Sequence, residues 1–335
     1  MVPPASWTIV MSCGVVSIDL SQVHQAVLSA ILLWFTAAVW LLLAVVLAAP
    51  LAYQPGRFRR EAAQPVTLAA VAATAVLGTR LAGGGYHVTA AALLALAAAG
   101  WVVLLGPVLW HWKTPTAGTS FIAGVATDGL AVLSASLAVP YRARWLVIAA
   151  IVFLLVSLAL YVFTLAWFDW RQLLTGRGDH WIAGGALAIS ALAAGLITRA
   201  AGALGLFGPQ HQVLSTGTLV VWCLAMAWLP VLIAVEAVRP RPGYDIRRWA
   251  TIFPLGMYAA CSFAVGPVAG VSGITGFGRI WTWVACAATV LALAGLFLRI
   301  RASWPAASQS LGGVLARDRA GQHDRGGLLD RADDR

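Results

Sequence analysis

The chain has 335 residues, of which 61 % are hydrophobic and only 10 % charged, and its mean hydropathy is +0.85. Soluble domains are roughly a quarter charged, so a chain with this little charge cannot cover a water-facing surface and is a multi-pass membrane protein. The net charge of +10 does not point to nucleic acid, because most basic residues fall in short connections between apolar runs and no aromatic-plus-basic reading face accompanies them.

A bilayer crossing takes about 20 mostly apolar residues. That ruler predicts ten spans, at 5–20, 26–50, 65–82, 88–110, 119–139, 145–168, 181–199, 213–237, 249–269 and 280–299. The first is short and ends at Asp19. The preceding Met-Val-Pro-Pro lacks the positive region of a signal peptide, so this stretch is expected to stay in the protein. Even-numbered spans are rich in Leu and Trp, as in Leu32-Leu33-Trp34-Phe35 and Val152-Phe153-Leu154-Leu155, and suit contact with lipid. Odd-numbered spans carry small and hydroxyl residues at helical spacing. Span three offers Thr67, Val71, Thr74 and Gly78; span seven offers Gly184, Ala188, Ala191 and Gly195. Small residues let helix backbones approach closely. The same pattern reads as the lining of a path or as close packing with no path. Its recurrence in every second span suggests a helical hairpin, inner helix then outer helix, repeated five times.

Span five holds Asp128 near its middle. A carboxylate at mid-bilayer is costly unless it faces water or a partner, which makes Asp128 a functional candidate; the plainer reading is a bond to Ser or Thr of a neighbouring helix. Before span seven, Asp179-His180 is expected to cap the helix. Asp19, Arg80 and Arg199 end odd-numbered spans. If those ends ring a vestibule, the two arginines draw anions inward; otherwise they are solvated helix ends or partners of Asp19. Span nine contains Phe253-Pro254-Leu255-Gly256. Pro254 has no N–H and leaves the carbonyl of Ala250 without its usual partner. It also biases Phe253 away from helical geometry. Such a break survives in lipid only where it is buried in protein or lines a cavity. Phe253 is then either a plug on a kinked helix or a ring packed in the bundle.

The four cysteines, Cys13, Cys223, Cys261 and Cys286, lie in apolar segments without C-x-x-C spacing and read as small buried hydrophobes. The six histidines are scattered, so no metal, haem or other cofactor is expected and no catalytic residue is assigned. Residues 302–335 exchange the apolar run for Gly, Asp and Arg, giving a disordered tail after a transmembrane domain at 1–301. Twelve basic residues (Arg57, Arg59, Arg60, Lys113, Arg171, Arg177, Arg239, Arg241, Arg247, Arg248, Arg299 and Arg301) fall on one side and five (Arg80, Arg142, Arg144, Arg199 and Arg279) on the other. The positive-inside rule then places both termini in the cytoplasm.

Several segments, in order, resemble the tellurite-resistance/C4-dicarboxylate transporter family, which includes plant slow anion channels, fungal malate carriers and sulfite exporters. They are Met11-Ser-Cys-Gly14-Val-Val-Ser17, Ala126-Thr127-Asp128-Gly129, Asp179-His180-Trp181-Ile182 through Ile189, and Phe253-Pro254-Leu255-Gly256-Met257-Tyr258. The resemblance covers about residues 4–300. It implies an all-α membrane fold of ten helices, arranged as five hairpins with quasi-fivefold symmetry around a central pore lined by the odd helices. It also implies a homotrimer in the cytoplasmic membrane, and a phenylalanine gate whose matching position is Phe253, with Pro254 and Gly256 beside it. The implied function is a permease for small anions such as C4-dicarboxylates, sulfite, tellurite or halide. Thr74, Gly78, Gly184, Gly195 and Asp128 are the pore-lining candidates, with Arg80 and Arg199 in the vestibule. Asp128 departs from the family pattern, in which an uncharged polar residue or glutamate is usual. It is either neutral when buried or couples proton movement to anion movement. A membrane enzyme acting on lipid or quinone, or a non-transporting scaffold, are the alternatives; no cluster of acids, histidines and bases converges as an enzyme would need.

Overall fold

The computed structural model describes the backbone of residues 4–53, 62–175, 178–241 and 243–330, and the side chains of these apart from residues 4, 48–53, 209 and 302–330. Four arginines that set the expected orientation, Arg57, Arg59, Arg60 and Arg177, lie outside the described residues, as does the side-chain content of the tail expected to be disordered at 302–335. The chain divides into a unit from Met1 to Thr289 and another from Val290 to Arg335.

Among the described residues, ten long helices follow one another: α1 (Trp7–Gln22), α2 (Ala26–Tyr53), α3 (Ala69–Gly83), α4 (His87–Trp110), α5 (Ile122–Ala138), α6 (Arg144–Ala166), α7 (Trp181–Ala203), α8 (His211–Val238), α9 (Trp249–Ala269) and α10 (Ser272–Asp330). Among the described residues, nine helices are long and apolar enough to cross a bilayer. The first predicted span is α1, which at 16 residues falls short of the roughly 20 a crossing takes. A 3₁₀ turn leads into each of α1, α3, α5 and α9. The last span starts at Ser272, eight residues before the expected 280. Its glycines read as a loop by propensity, but a Cβ at Gly278 would lie 3.2 Å from the Ala259 carbonyl, so packing against α9 holds the segment helical.

Burial separates the helices into two classes. In the most apolar stretches of α3, α5, α7 and α9, between 67 % and 100 % of residues are buried, against 17–28 % in α2, α4, α6, α8 and α10. Nearly all of α1 is buried too. Odd helices are therefore inside and even helices expose apolar surface on the outside, as the alternation in the sequence predicts. Each inner helix packs on the outer helix that follows it. Ser17 and Ser29 exchange hydroxyl-to-carbonyl bonds between α1 and α2 (2.8 and 2.7 Å), and Ser157 of α6 donates to the Gly124 carbonyl of α5 (2.9 Å). Thr198 of α7 meets Thr218 of α8 at 3.0 Å.

The five inner helices pack in a closed cycle: α1 on α3, α3 on α5, α5 on α7, α7 on α9, and α9 back on α1. Glycine makes four of these seams. A Cβ at Gly14 would lie 2.7 Å from Val76, one at Gly78 2.7 Å from Leu133, one at Gly195 2.9 Å from Ala264, and one at Gly256 2.5 Å from Val15. Backbones this close gain dispersion contacts where no hydrophobic effect is available to drive association. At the α5–α7 seam a hydrogen bond runs between Ser190 and Asp128.

Candidate functional site: an axial cavity and two buried carboxylates

One cavity of about 200 Å³ is lined by residues of all five inner helices: Ile18, Ser21 and Gln22 of α1, Thr79, Arg80, Ala82 and Gly83 of α3, Ser136 of α5, Leu192, Leu196 and Arg199 of α7, and Ala260, Phe263 and Ala264 of α9. Every lining residue belongs to an odd helix. In each helix they fall toward the C-terminal end, so the inner helices share one direction. Helix C-termini carry partial negative charge, and Arg80 and Arg199 supply the compensating cations at the cavity wall. The two arginines, far apart in sequence, are thus brought together. Arg80 is held in place by α1 and α2: its Nε donates to Ser17 Oγ (3.0 Å) and its Nη2 to Ser29 Oγ (2.8 Å). Arg199 is exposed.

Phe253 is 2 % exposed. It lies seven residues before Ala260, which is two helical turns and about 10 Å along the same face. The register therefore puts Phe253 on the same face of α9 as Ala260, two turns further from the cavity. The helix runs unbroken through Pro254. The expected break takes the form of a missing backbone bond, because Gly185 of α7 leaves room for the proline: a Cβ there would lie 2.7 Å from Pro254 Cγ. On the α1 side, Gly256 backs onto Val15. The Phe253 helix is thus clasped by close contacts on both flanks.

The remaining candidates lie elsewhere. Thr74 is on the wall of an apolar cavity of about 400 Å³ bounded mainly by α2, α3 and α4. Its hydroxyl accepts from Trp40 Nε1 (2.9 Å) and donates to the Ala70 carbonyl (2.8 Å). Gly78 backs onto Leu133 and Leu93, and Gly195 onto Ala264. Gly184 backs onto Tyr258, Leu232 and Trp228, away from the axial cavity. Asp128 is fully buried; its Oδ2 accepts from Ser190 Oγ at 2.5 Å, while its Oδ1 has no hydrogen-bond partner.

Asp19 is the feature the sequence undervalued. Expected at a helix end facing solvent or an arginine, it is 0 % exposed, and neither carboxylate oxygen has a hydrogen-bond partner. The physical reason is the serine pair, which takes the Arg80 guanidinium toward α2, while Asp19 points across the seam to α9. A Cβ at Gly256 would stand 3.4 Å from Asp19 Oδ2. The polar residues Ser21, Gln22, Thr79 and Ser136 were also not singled out. Their one signal in the sequence is a polar side chain in the last turns of odd spans.

At the opposite end, Glu236 bridges Arg241 (2.6 Å) and Arg248 (3.6 Å), and Trp181 Nε1 donates to it (3.3 Å). Asp179 does not cap α7: the N-cap position is His180, with no side-chain cap bond. Its carboxylate instead lies 3.9 Å from Arg247 of the turn before α9. Burial pushes the Asp179 carboxyl above the usual carboxylate range, and Arg247 and Arg241 pull it part of the way back. Among the described residues, no group of three or more His, Cys, Asp or Glu is placed to hold a metal ion.

Comparison with protein-family models matches residues 1–297 to the voltage-dependent anion channel family. A search of curated proteins finds no match.

Proposed function

Because the chain belongs to the voltage-dependent anion channel family, we propose that it is a permease for small anions, whose path runs along the axis of the five odd helices. The observation that carries this reading is the axial cavity, to which all five inner helices contribute and whose charged lining residues, among the described residues, are Arg80 and Arg199. Basic residues at the mouth of a low-dielectric path concentrate anions there. A small anion meets hydroxyl and amide groups at Ser21, Gln22, Thr79 and Ser136, which replace part of its hydration.

Below this vestibule the path narrows to apolar side chains. Two turns deeper on each helix stand Met11, Val15, Ala72, Ala73, Gly129, Gly185 and Phe253, all buried. An apolar constriction excludes hydrated ions by dewetting. Phe253 is the largest of these side chains and serves as the gate, with Pro254 and Gly256 shaping the helix that carries it. Asp128, held by Ser190 on the flank of the path, takes up the proton in a coupled carrier. In this reading the vestibule faces away from the cytoplasm, which the excess of basic residues on the opposite side supports, and three copies of the chain form the assembly in the cytoplasmic membrane.

The test is flux through the purified protein in liposomes, with chloride, malate and sulfite offered in turn. Phe253→Ala is expected to raise the rate of the permeant anion by about tenfold or more, a change of about 1.4 kcal/mol in the barrier. An unchanged rate in a folded variant argues against the gate, and a wild-type protein that passes none of the three anions argues against the permease.

A further inference from the structure

The α1–α9 seam contains a group that its packing does not explain. Asp19 has both carboxylate oxygens buried and unpartnered, and an ionised carboxylate in such a place is strongly disfavoured. A ligand must therefore satisfy it when the seam is closed. Space decides which. A Cβ at Gly256 would lie 2.5 Å from Val15 Cγ1 and 3.4 Å from Asp19 Oδ2, so at Gly256 the helices leave no space for a water molecule or metal ion between them. Only a proton fits.

Among the described residues, the groups facing Asp19 leave it no counter-charge. Arg80, on α3, is turned to Ser17 and Ser29. The described part of α2 carries no charged side chain. On α9 the titratable groups are Tyr258, whose hydroxyl lies against Gly184 of α7, and Cys261, whose thiol donates to the Tyr258 carbonyl at 3.3 Å. Yet a route for protons is short: Ile18, Ser21 and Gln22, which flank Asp19 in α1, line the axial cavity.

We propose that Asp19 is a proton-binding site that governs the gate: neutral, it lets α9 close on α1 at Gly256, and ionised, it separates the two helices. Gly256 is three residues from Phe253 on the same helix, so separation at the seam moves the ring. Loss of the proton therefore opens the path, and acid closes it. This deepens the permease reading and rests on it. The role differs from that given to Asp128, which has a donor in Ser190 and travels with the anion cycle.

The experiment combines two measurements on the full chain in liposomes. Infrared difference spectra, wild type minus Asp19→Asn, isolate the protonated-carboxyl band of Asp19. Chloride efflux is followed in parallel between about pH 6 and about pH 9, the range over which buried carboxyls are known to exchange their proton. The expected result is a band present at the acid end and lost at the alkaline end, with wild-type efflux rising at least about threefold over that range. Asp19→Asn, which mimics the neutral form, holds efflux at the acid-side level throughout. A band that does not change, or an Asp19→Asn variant that keeps the wild-type pH profile, overturns the proposal. Should wild type pass no chloride at any pH, the permease reading fails on that anion, and the infrared titration alone decides whether Asp19 takes the proton.

Discussion

The α5–α7 seam and the α1–α9 seam each bury one aspartate completely, and they treat it in opposite ways. At the first, Ser190 donates to Asp128 at 2.5 Å. At the second, Asp19 and Val15 of α1 both meet Gly256 of α9, and among the described residues Asp19 receives no donor. The difference lies in what each seam has to do. A carboxylate with a hydroxyl partner is a strong, directional link, suited to a seam that stays shut. A carboxyl opposite glycine is tolerated only while neutral, which ties the closure of that seam to a proton. The comparison also shows why Gly256 matters more than its neighbours: it sets the spacing of the seam that holds the unpartnered acid and stands on the helix that carries Phe253.

The largest way to break this comparison is Gly256→Leu. Its side chain would overlap Val15 and approach Asp19, and overpacking of this kind costs about 2–3 kcal/mol. Thermal unfolding in detergent should fall accordingly, with Val15→Ala restoring part of the loss; a variant as stable as wild type would mean the seam is looser than described. Next comes Ser190→Ala, which puts Asp128 in the condition of Asp19. A buried acceptor stripped of its donor loses about 1–3 kcal/mol, visible in the same unfolding measurement. No loss would show that the Ser190 bond contributes nothing to the seam. Asp128→Asn sharpens the contrast in function. It should remove the proton movement driven by an anion gradient, read with a pH dye inside liposomes, and leave basal anion passage within about twofold. Persistent proton movement would reassign the coupling.

The smallest effect is expected at the far face, where Asp179→Asn should change stability by a few tenths of a kcal/mol, as for other partly exposed ion pairs. The folded protein holds this carboxyl above its usual range. Folding therefore favours the neutral carboxyl over the ionised one, and the stability this gives is fully present below the unfolded value and is lost as pH rises through the folded one. The variant should flatten the melting temperature against pH across that acid window, and an unaltered slope would assign the pH dependence to other groups.

Much of this architecture is legible in the order of residues. Lipid accepts only helices whose backbone is satisfied internally, so apolar runs of the right length become spans. The shift between greasy and small-residue spans marks which of them face inward: Leu32-Leu33-Trp34 sits on an outer helix, and Gly78 and Gly195 on inner ones. The clustering of Arg80 and Arg199 followed from their shared position at the ends of odd spans. The stripe of Thr74, Gly78, Gly184 and Gly195 marks inward-facing helices, but a stripe does not say which neighbour each residue meets. Gly184 meets Tyr258 of α9 and two residues of α8, while Thr74 meets Trp40.

By itself, then, the sequence determined an all-helical membrane protein with alternate helices turned inward, because hydropathy, length and side-chain size act locally along each helix. Only the tertiary structure decided the partners around the ring. It turned Arg80 toward two serines and left Asp19 alone against Gly256, and it gave Asp128 a donor from a helix more than sixty residues away. Which hydrogen bond a buried side chain makes depends on rotation and close approach between helices, and those are fixed by the whole set of seams at once.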